Sequence, residues 1–147
     1  MVIPLFKSHY SIGKSILTLK APGNTSEAGA DSVFSVAEEE GMKEIFLVED
    51  SLVGFLQALN VANDLGINLR FGLRLSCVDA LGGDASCKHK IVVFSKSSRG
   101  CQLLNKIYSF AFTKGEGQID TANLKRLWEE EHLKLAIPFY DSFIYQN

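Results

Sequence analysis

The sequence has few cysteines, and their spacing argues against a framework held by disulfides or by zinc. Cys77, Cys87 and Cys101 are the three cysteines, so they cannot all pair with one another. None of them belongs to a C-x-x-C pair, which disfavours a thiolate zinc site. We therefore expect reduced thiols that act as small buried hydrophobic residues in a cytoplasmic protein.

The sequence also lacks an excess of one charge and a long apolar run. Fifteen Lys and Arg against seventeen Asp and Glu give a net charge of -2, so a strong attraction to nucleic acid is not expected. No stretch approaches the ~18 apolar residues of a membrane span. Residues 1–20 do not have the basic start and long apolar core of a signal peptide. These absences predict a cytoplasmic protein that does not associate with membranes.

What the sequence does contain is an alternation of apolar runs and amphipathic stretches, which predicts an α/β protein. A chain of 147 residues that is 46% hydrophobic is long enough for one domain with a substantial core. Gly-rich and polar stretches at residues 20–32 and 79–88 are predicted to be loops. Strands are predicted at residues 2–6, 44–48, 89–96 and 133–140, and helices within residues 32–41, 51–66, 97–115 and 119–131. Asp120 is the expected cap of the last helix, and the helix before it has an apolar stripe formed by Leu103, Leu104, Ile107, Tyr108 and Ala111.

A repeated order of elements predicts how the strands are arranged. Residues 36–48 and residues 61–73 both have a helix end, a Gly, two linking residues and then a strand. Two helix-plus-strand units in succession are typical of a parallel sheet with right-handed crossovers. We therefore expect a mainly parallel sheet flanked by helices.

The polar turn after the first strand contains part of a known motif and one histidine. "SIGKS", residues 11–15, is similar to the end of a phosphate-binding loop, but that motif requires a Gly at position 8, where Ser8 stands. His9 lies in the same turn, and the other histidines, His89 and His132, are too distant in sequence to form a local metal site with it. The turn is therefore not predicted to bind nucleotides, and His9 is a weak candidate for ligand binding.

Acidic and basic residues near the strand ends supply the other candidates. Glu49 and Asp50 follow a buried strand, where two carboxylates could hold a divalent ion. Alternatively, Asp50 or Ser51 caps the helix that follows. Arg70 and Arg74 lie in a predicted strand and are weak candidates for binding an anion.

Three segments together resemble one known family. "SHYS", residues 8–11, resembles an H-S-x-Y-S turn. Residues 37–75 resemble a segment with T-D-H and G-x-E motifs, and residues 89–124 resemble the strand–"GYxNL"–helix segment that follows. The family is the polymerase-and-histidinol-phosphatase (PHP) domain found at the amino end of bacterial DNA polymerase III alpha subunits. The resemblance implies a single truncated PHP-like domain over residues 1–147, folded as a partial (β/α) barrel.

The resemblance also implies that the metal site of this family has degenerated. PHP domains bind two or three divalent metals at their strand ends and hydrolyse phosphoesters. At the matching positions, Leu5 and Lys7 replace an H-x-H pair, Ser51 replaces the histidine of T-D-H, and Arg74 replaces the glutamate of G-x-E. Asp50 alone keeps its acid. We therefore expect a protein without catalytic residues, bound metal or cofactor.

Charge repulsion supports this expectation. Two positive unit charges 4 Å apart repel each other by about 4 kcal/mol at an effective dielectric constant of 20. Lys7 and Arg74 would exert this repulsion on a metal ion. We expect them instead to replace the metals structurally by pairing with Asp50 or Glu49.

These observations predict a non-catalytic protein that acts by contacting other proteins. The resemblance suggests a replication or transcription assembly, polymerase-associated partners and a phage origin, while exposed sheet edges predict a homodimer or another partner. A first alternative is a residual metal-dependent phosphoesterase that uses Asp50, Glu49 and His9. A second alternative is a small nucleic-acid-binding module, whose candidate cations are Lys7, Lys14, Lys20, Arg70 and Arg74.

Overall fold

The computed structural model describes residues 3–24, 29–82, 88–140 and 142–146. The strands in these ranges are β1 (Leu5–Phe6), β2 (Glu44–Glu49), β3 (Asn68–Val78), β4 (His89–Ser95), β5 (Gln118–Asp120) and β6 (Leu133–Ala136). The helices are α1 (Val33–Glu39), α2 (Phe55–Leu65), α3 (Ser98–Thr113), α4 (Thr121–Arg126) and α5 (Phe143–Gln146).

The predicted partial (β/α) barrel with a mainly parallel sheet is wrong. The strand order is β1-β2-β3-β4-β6, with β5 paired to β3, so the sheet is open. The β1–β2 and β3–β5 pairs are parallel and the β4–β6 pair is antiparallel, which makes the sheet mixed. The repeat that suggested a parallel sheet covers only α1–β2 and α2–β3. The link of residues 79–88 between β3 and β4 is shorter than the dozen or more residues that a parallel crossover usually needs.

The chain divides into two compact units, Met1–Gly72 and Leu73–Asn147. The prediction of one truncated domain over residues 1–147 stays a prediction. Among the described residues, the helices are all too short or too polar to cross a bilayer.

The first unit is built on β2, whose apolar run is buried as predicted. Ile45, Leu47 and Val48 are each at most 4% exposed. The side chain of Ser32 begins α1 by accepting a hydrogen bond from the backbone N–H of Phe34, which satisfies one of the free donors of a first helical turn. The predicted helix 51–66 begins later than expected, at Phe55.

The second unit packs α3 through its predicted apolar stripe. Leu103, Leu104, Ile107 and Ala111 are buried, and Tyr108 is half-buried. The spacing of these residues therefore gave the buried face of the longest helix correctly.

The predicted last helix, residues 119–131, is too long. Its start is strand β5, and α4 ends at Arg126. Asp120 is nevertheless the cap that the sequence predicts, because its Oδ1 accepts a hydrogen bond from the backbone N–H of Asn123 at 2.7 Å. This bond is the main reason that the pKa of Asp120 is lowered.

The cysteines agree with the expected role in part. Cys77 is buried and Cys101 is half-buried, and both are free thiols. Burial is the main cause of the raised pKa of Cys77, and the charges of Asp120 and Asp79 add to it. A smaller fraction of this thiol is therefore ionised to the reactive thiolate. Cys87 lies outside the described residues.

A substitution at Gly100 tests how closely the first turn of α3 packs against the backbone of His132. A Cβ at this position would lie 2.3 Å from the carbonyl oxygen of His132. Gly100→Ala should therefore lower the free energy of unfolding by about 1–3 kcal/mol, although Ala in an open helix position would raise it. Urea denaturation measures the change, and Ser98→Ala on the exposed side of the same turn is the control. A more stable Gly100→Ala variant would contradict this packing.

Candidate functional site

The side chain of Glu49, at the end of β2, holds the turn that follows β1. Glu49 is 0% exposed. Its Oε1 accepts a hydrogen bond from the backbone N–H of Ser8 at 2.7 Å, and its Oε2 accepts a short hydrogen bond from Ser11 Oγ. A buried carboxylate is costly unless polar partners replace water. Here both oxygens have such a partner.

Ser11 extends this network along the chain. Its Oγ accepts a hydrogen bond from the backbone N–H of Asp50 at 3.2 Å. Its own backbone N–H donates to the carbonyl oxygen of Ser8 at 3.0 Å, which closes a tight turn. Ser8 and Ser11 are both buried, so their hydroxyls serve the turn and are not exposed nucleophiles.

Two ammonium groups approach the carboxylate of Asp50. Lys7 Nζ lies 3.5 Å from Oδ1, and Lys14 Nζ lies 3.0 Å from Oδ2. Lys7 Nζ also donates a hydrogen bond to the carbonyl oxygen of Val48 at 3.1 Å. The expected pairing of Lys7 with Asp50 is thus observed, and Lys14 adds a second cation that the sequence analysis did not assign to this pair.

Tyr10 connects the turn to α2. Its hydroxyl donates to Gln57 Oε1 at 3.0 Å, and Gln57 Nε2 donates to the carbonyl oxygen of Leu19 at 3.2 Å. The Tyr10 ring passes so close to Gly54 that a Cβ there would lie 2.6 Å from Cδ2. Gly54 also provides the N-cap of α2 without a side-chain bond.

Neither of the predicted helix caps is formed. Because α2 begins after Gly54, Asp50 is too early in the chain to cap it, and Asp50 instead pairs with Lys7 and Lys14. Ser51 Oγ accepts only a local hydrogen bond from the backbone N–H of Val53 at 3.4 Å. The prediction that Asp50 or Ser51 caps the helix is therefore wrong.

Three of the other sequence candidates, Leu5, His9 and Arg70, lie outside this cluster. His9 is exposed, and its Nδ1 lies 3.3 Å from the carbonyl oxygen of Leu17. Leu5 is 63% exposed. Arg70 pairs with Glu44 at 2.8 Å in the first unit. Arg74 lies in β3 and is half-buried, and its expected pairing with Asp50 or Glu49 stays a prediction.

The sequence analysis missed Ser8 and Ser11 as partners of Glu49, and Gln57 as the residue that links Tyr10 to Leu19. For the two serines a signal existed, since the hydroxyls of "SHYS" stand directly after a strand. No sequence signal indicated Gln57, because a polar residue on an amphipathic helix normally faces water.

The donor set does not fit a divalent metal. All four carboxylate oxygens of Glu49 and Asp50 face protein donors, and both oxygens of Asp50 have an ammonium group beside them. A metal ion there would meet the charges of Lys7 and Lys14. Within the ranges that the structure describes, no group of three or more His, Cys, Asp or Glu side chains is placed to hold a metal. We call this cluster, made of Lys7, Ser8, Ser11, Lys14, Glu49 and Asp50, the Glu49 turn cluster.

No protein-family model and no curated protein matches the chain. The resemblance to the PHP domain therefore stays a prediction that depends on the segments quoted above.

Ser11→Ala tests the network around Glu49. The change leaves Glu49 Oε2 without its hydroxyl donor and the N–H of Asp50 without its acceptor. The free energy of unfolding should fall by about 1.5–3 kcal/mol, the cost of a lost hydrogen bond to a buried charge. Ser15→Ala in the same turn removes only a local bond to Leu17 and should cost less than about 1 kcal/mol. Equal effects of the two changes in urea denaturation would contradict the role of Ser11.

Lys7→Gln tests the expected structural role of the Lys7–Asp50 pair. The Lys7–Asp50 pair is partly shielded, with side chains 25% and 33% exposed. Removing this charge should lower the free energy of unfolding by about 1–2 kcal/mol, between the values for a surface pair and for a charged hydrogen bond. Thermal and urea unfolding at low and high salt measure the change. Lys20→Gln is the control, because Lys20 is exposed. Unchanged stability of Lys7→Gln would show that the pair has no structural role.

Proposed function

We propose that this chain is a non-catalytic relative of the PHP domain that acts by binding another protein in a replication or transcription assembly. The proposal places it in the cytoplasm of a bacterial host, encoded by a phage. The observation that carries the non-catalytic part is the Glu49 turn cluster. Its carboxylates, the best candidates for metal ligands in the sequence, are engaged by the chain's own donors.

Exposed aromatic rings in the second unit supply a surface for a protein partner. Phe139, Tyr140 and Tyr145 are 57%, 74% and 62% exposed. Their ring centroids lie 5.1 to 6.0 Å apart, so the three rings form one patch, which we call the aromatic cluster. Aromatic residues are enriched at protein interfaces and often dominate their binding energy.

The charges of the first unit favour a protein over a nucleic acid as the partner. Lys7 and Lys14 pair with Asp50, and Arg70 pairs with Glu44. A cation that already has an anionic partner contributes little to binding phosphates, because the existing pair must first be broken. Most of the cations considered for a nucleic-acid module are therefore engaged in pairs.

The partner can be sought by affinity capture from a lysate of the native host, followed by mass spectrometry. The wild-type protein should retain a subunit of a replicative polymerase or of RNA polymerase. A Tyr140→Ser/Tyr145→Ser variant should retain at least tenfold less of it, because the aromatic cluster is removed. Phe112→Ser is the matched control, since Phe112 is an aromatic residue of α3 that is 50% exposed and lies outside the cluster.

Three results would contradict the proposal. Equal capture by the double variant would exclude the aromatic cluster as the binding surface. Recovery of this chain alone would indicate a homodimer instead of a partner from such an assembly. Manganese-dependent hydrolysis of a phosphodiester that is lost in Asp50→Asn would identify an enzyme.

A further inference from the structure

Helices α3 and α4 of the second unit line a small cavity that has no part in the proposed function. Its volume is about 290 Å³, near the lower limit of ligand pockets, which span roughly 300–1,000 Å³. The α3 residues are spaced by one and four positions, so they share one helix face. The lining residues are Asn105, Lys106, Ser109, Phe110, Arg126 and Leu127.

Both walls of this α3–α4 cavity contribute a cation. Lys106 comes from α3 and Arg126 from α4, and both side chains are exposed. Within the described part of the chain, neither forms a salt bridge. The guanidinium of Arg126 donates only to the neutral Oδ1 of Asn123, through long hydrogen bonds of 3.4 and 3.2 Å. The 3.4 Å bond is longer than the usual N–H···O range of about 2.7–3.2 Å, and both bonds go to a neutral acceptor, so an anionic ligand would replace them at small cost.

The acidic groups that interact with these two cations have other partners. Glu129 accepts a two-point contact from Arg99, with Nε 3.0 Å from Oε2. This hydrogen bonding is the main cause of the lowered pKa of Glu129, and the charge of Lys106 adds to it last. Asp120 caps α4 through Asn123. The positive charge at the cavity is therefore only partly balanced.

The same cavity has an aromatic side. The guanidinium carbon of Arg126 lies 5.8 Å from the centroid of the Phe110 ring, and the half-buried side chains of Phe110 and Leu127 supply apolar surface. A planar ring can pack against such an aromatic and apolar surface, beside the guanidinium plane. Ser109 and Asn105 add a hydroxyl and an amide as hydrogen-bond donors.

We propose that the α3–α4 cavity binds a small phosphate monoester that carries a planar ring, the chemistry of a nucleoside monophosphate. The planar donor array of Arg126 matches two phosphate oxygens, and Lys106 adds a point charge from the opposite wall. Phe110 takes the ring. The volume of about 290 Å³ suits a mononucleotide better than a larger ligand.

Titration of the isotope-labelled full chain with adenosine monophosphate, followed by NMR and calorimetry, tests the proposal. The dissociation constant should be about 1 mM or lower, with shifts at the amides of the cavity residues. Inorganic phosphate and adenosine should each bind at least tenfold more weakly. Lys106→Gln and Arg126→Gln should each weaken nucleotide binding about tenfold, equivalent to about 1.4 kcal/mol.

Two further variants separate this site from non-specific attraction. Lys125→Gln removes a neighbouring charge on α4 that does not line the cavity and should leave the affinity unchanged. Phe110→Leu keeps an apolar side chain and should weaken binding of the nucleotide but not of inorganic phosphate.

Each alternative result overturns the proposal. Binding weaker than about 10 mM would exclude the site. Equal losses in Lys125→Gln and Lys106→Gln would show a diffuse charge effect. Equal affinity for phosphate and nucleotide would show an anion site without ring recognition.

Discussion

The burial of one carboxylate, that of Glu49, determines the local structure around the end of β2. A charge removed from water must be solvated by the protein, and only donors at fixed positions can do this. The N–H of Ser8 and the hydroxyl of Ser11 take these positions, which fixes the turn after β1. Ser11 then accepts from the N–H of Asp50. The network thus holds Asp50 beside the turn that supplies both of its lysine partners.

The two acids at this strand end have different roles because their environments differ. Glu49 is fully buried, and neutral N–H and O–H groups donate to it. The side chain of Asp50 is 33% exposed, and two ammonium groups compensate its charge. Buried ionic networks add less net stability than their contacts suggest, because the charges pay a desolvation cost. Their main effect is therefore to specify one conformation of the turn. In this geometry the protein's own donors contact both acids, although their position at the end of a strand is typical of metal ligands.

Hydrophobic periodicity predicted the elements better than their arrangement. The buried run of β2, the stripe of α3 and the cap at Asp120 follow from local spacing. The sheet type did not, because it depends on the length of residues 79–88 and on β6 pairing antiparallel with β4. The burial of Glu49 could not be predicted from the sequence either. A carboxylate at the end of an apolar run looks the same in sequence whether it faces water or two donors.

The distribution of satisfied charge separates the structural part of the molecule from the part proposed to bind. In the first unit, Lys7, Lys14 and Arg70 have carboxylate partners, so binding an external anion would first break an internal pair. In the second unit, Lys106 and Arg126 lack such partners within the described residues, and the aromatic cluster faces solvent. Binding free energy comes from groups that gain more from a ligand than they lose in water or in existing contacts. By this criterion the second unit would gain more free energy on binding than the first. The aromatic cluster would gain it from an apolar protein surface, and the α3–α4 cavity from a phosphate.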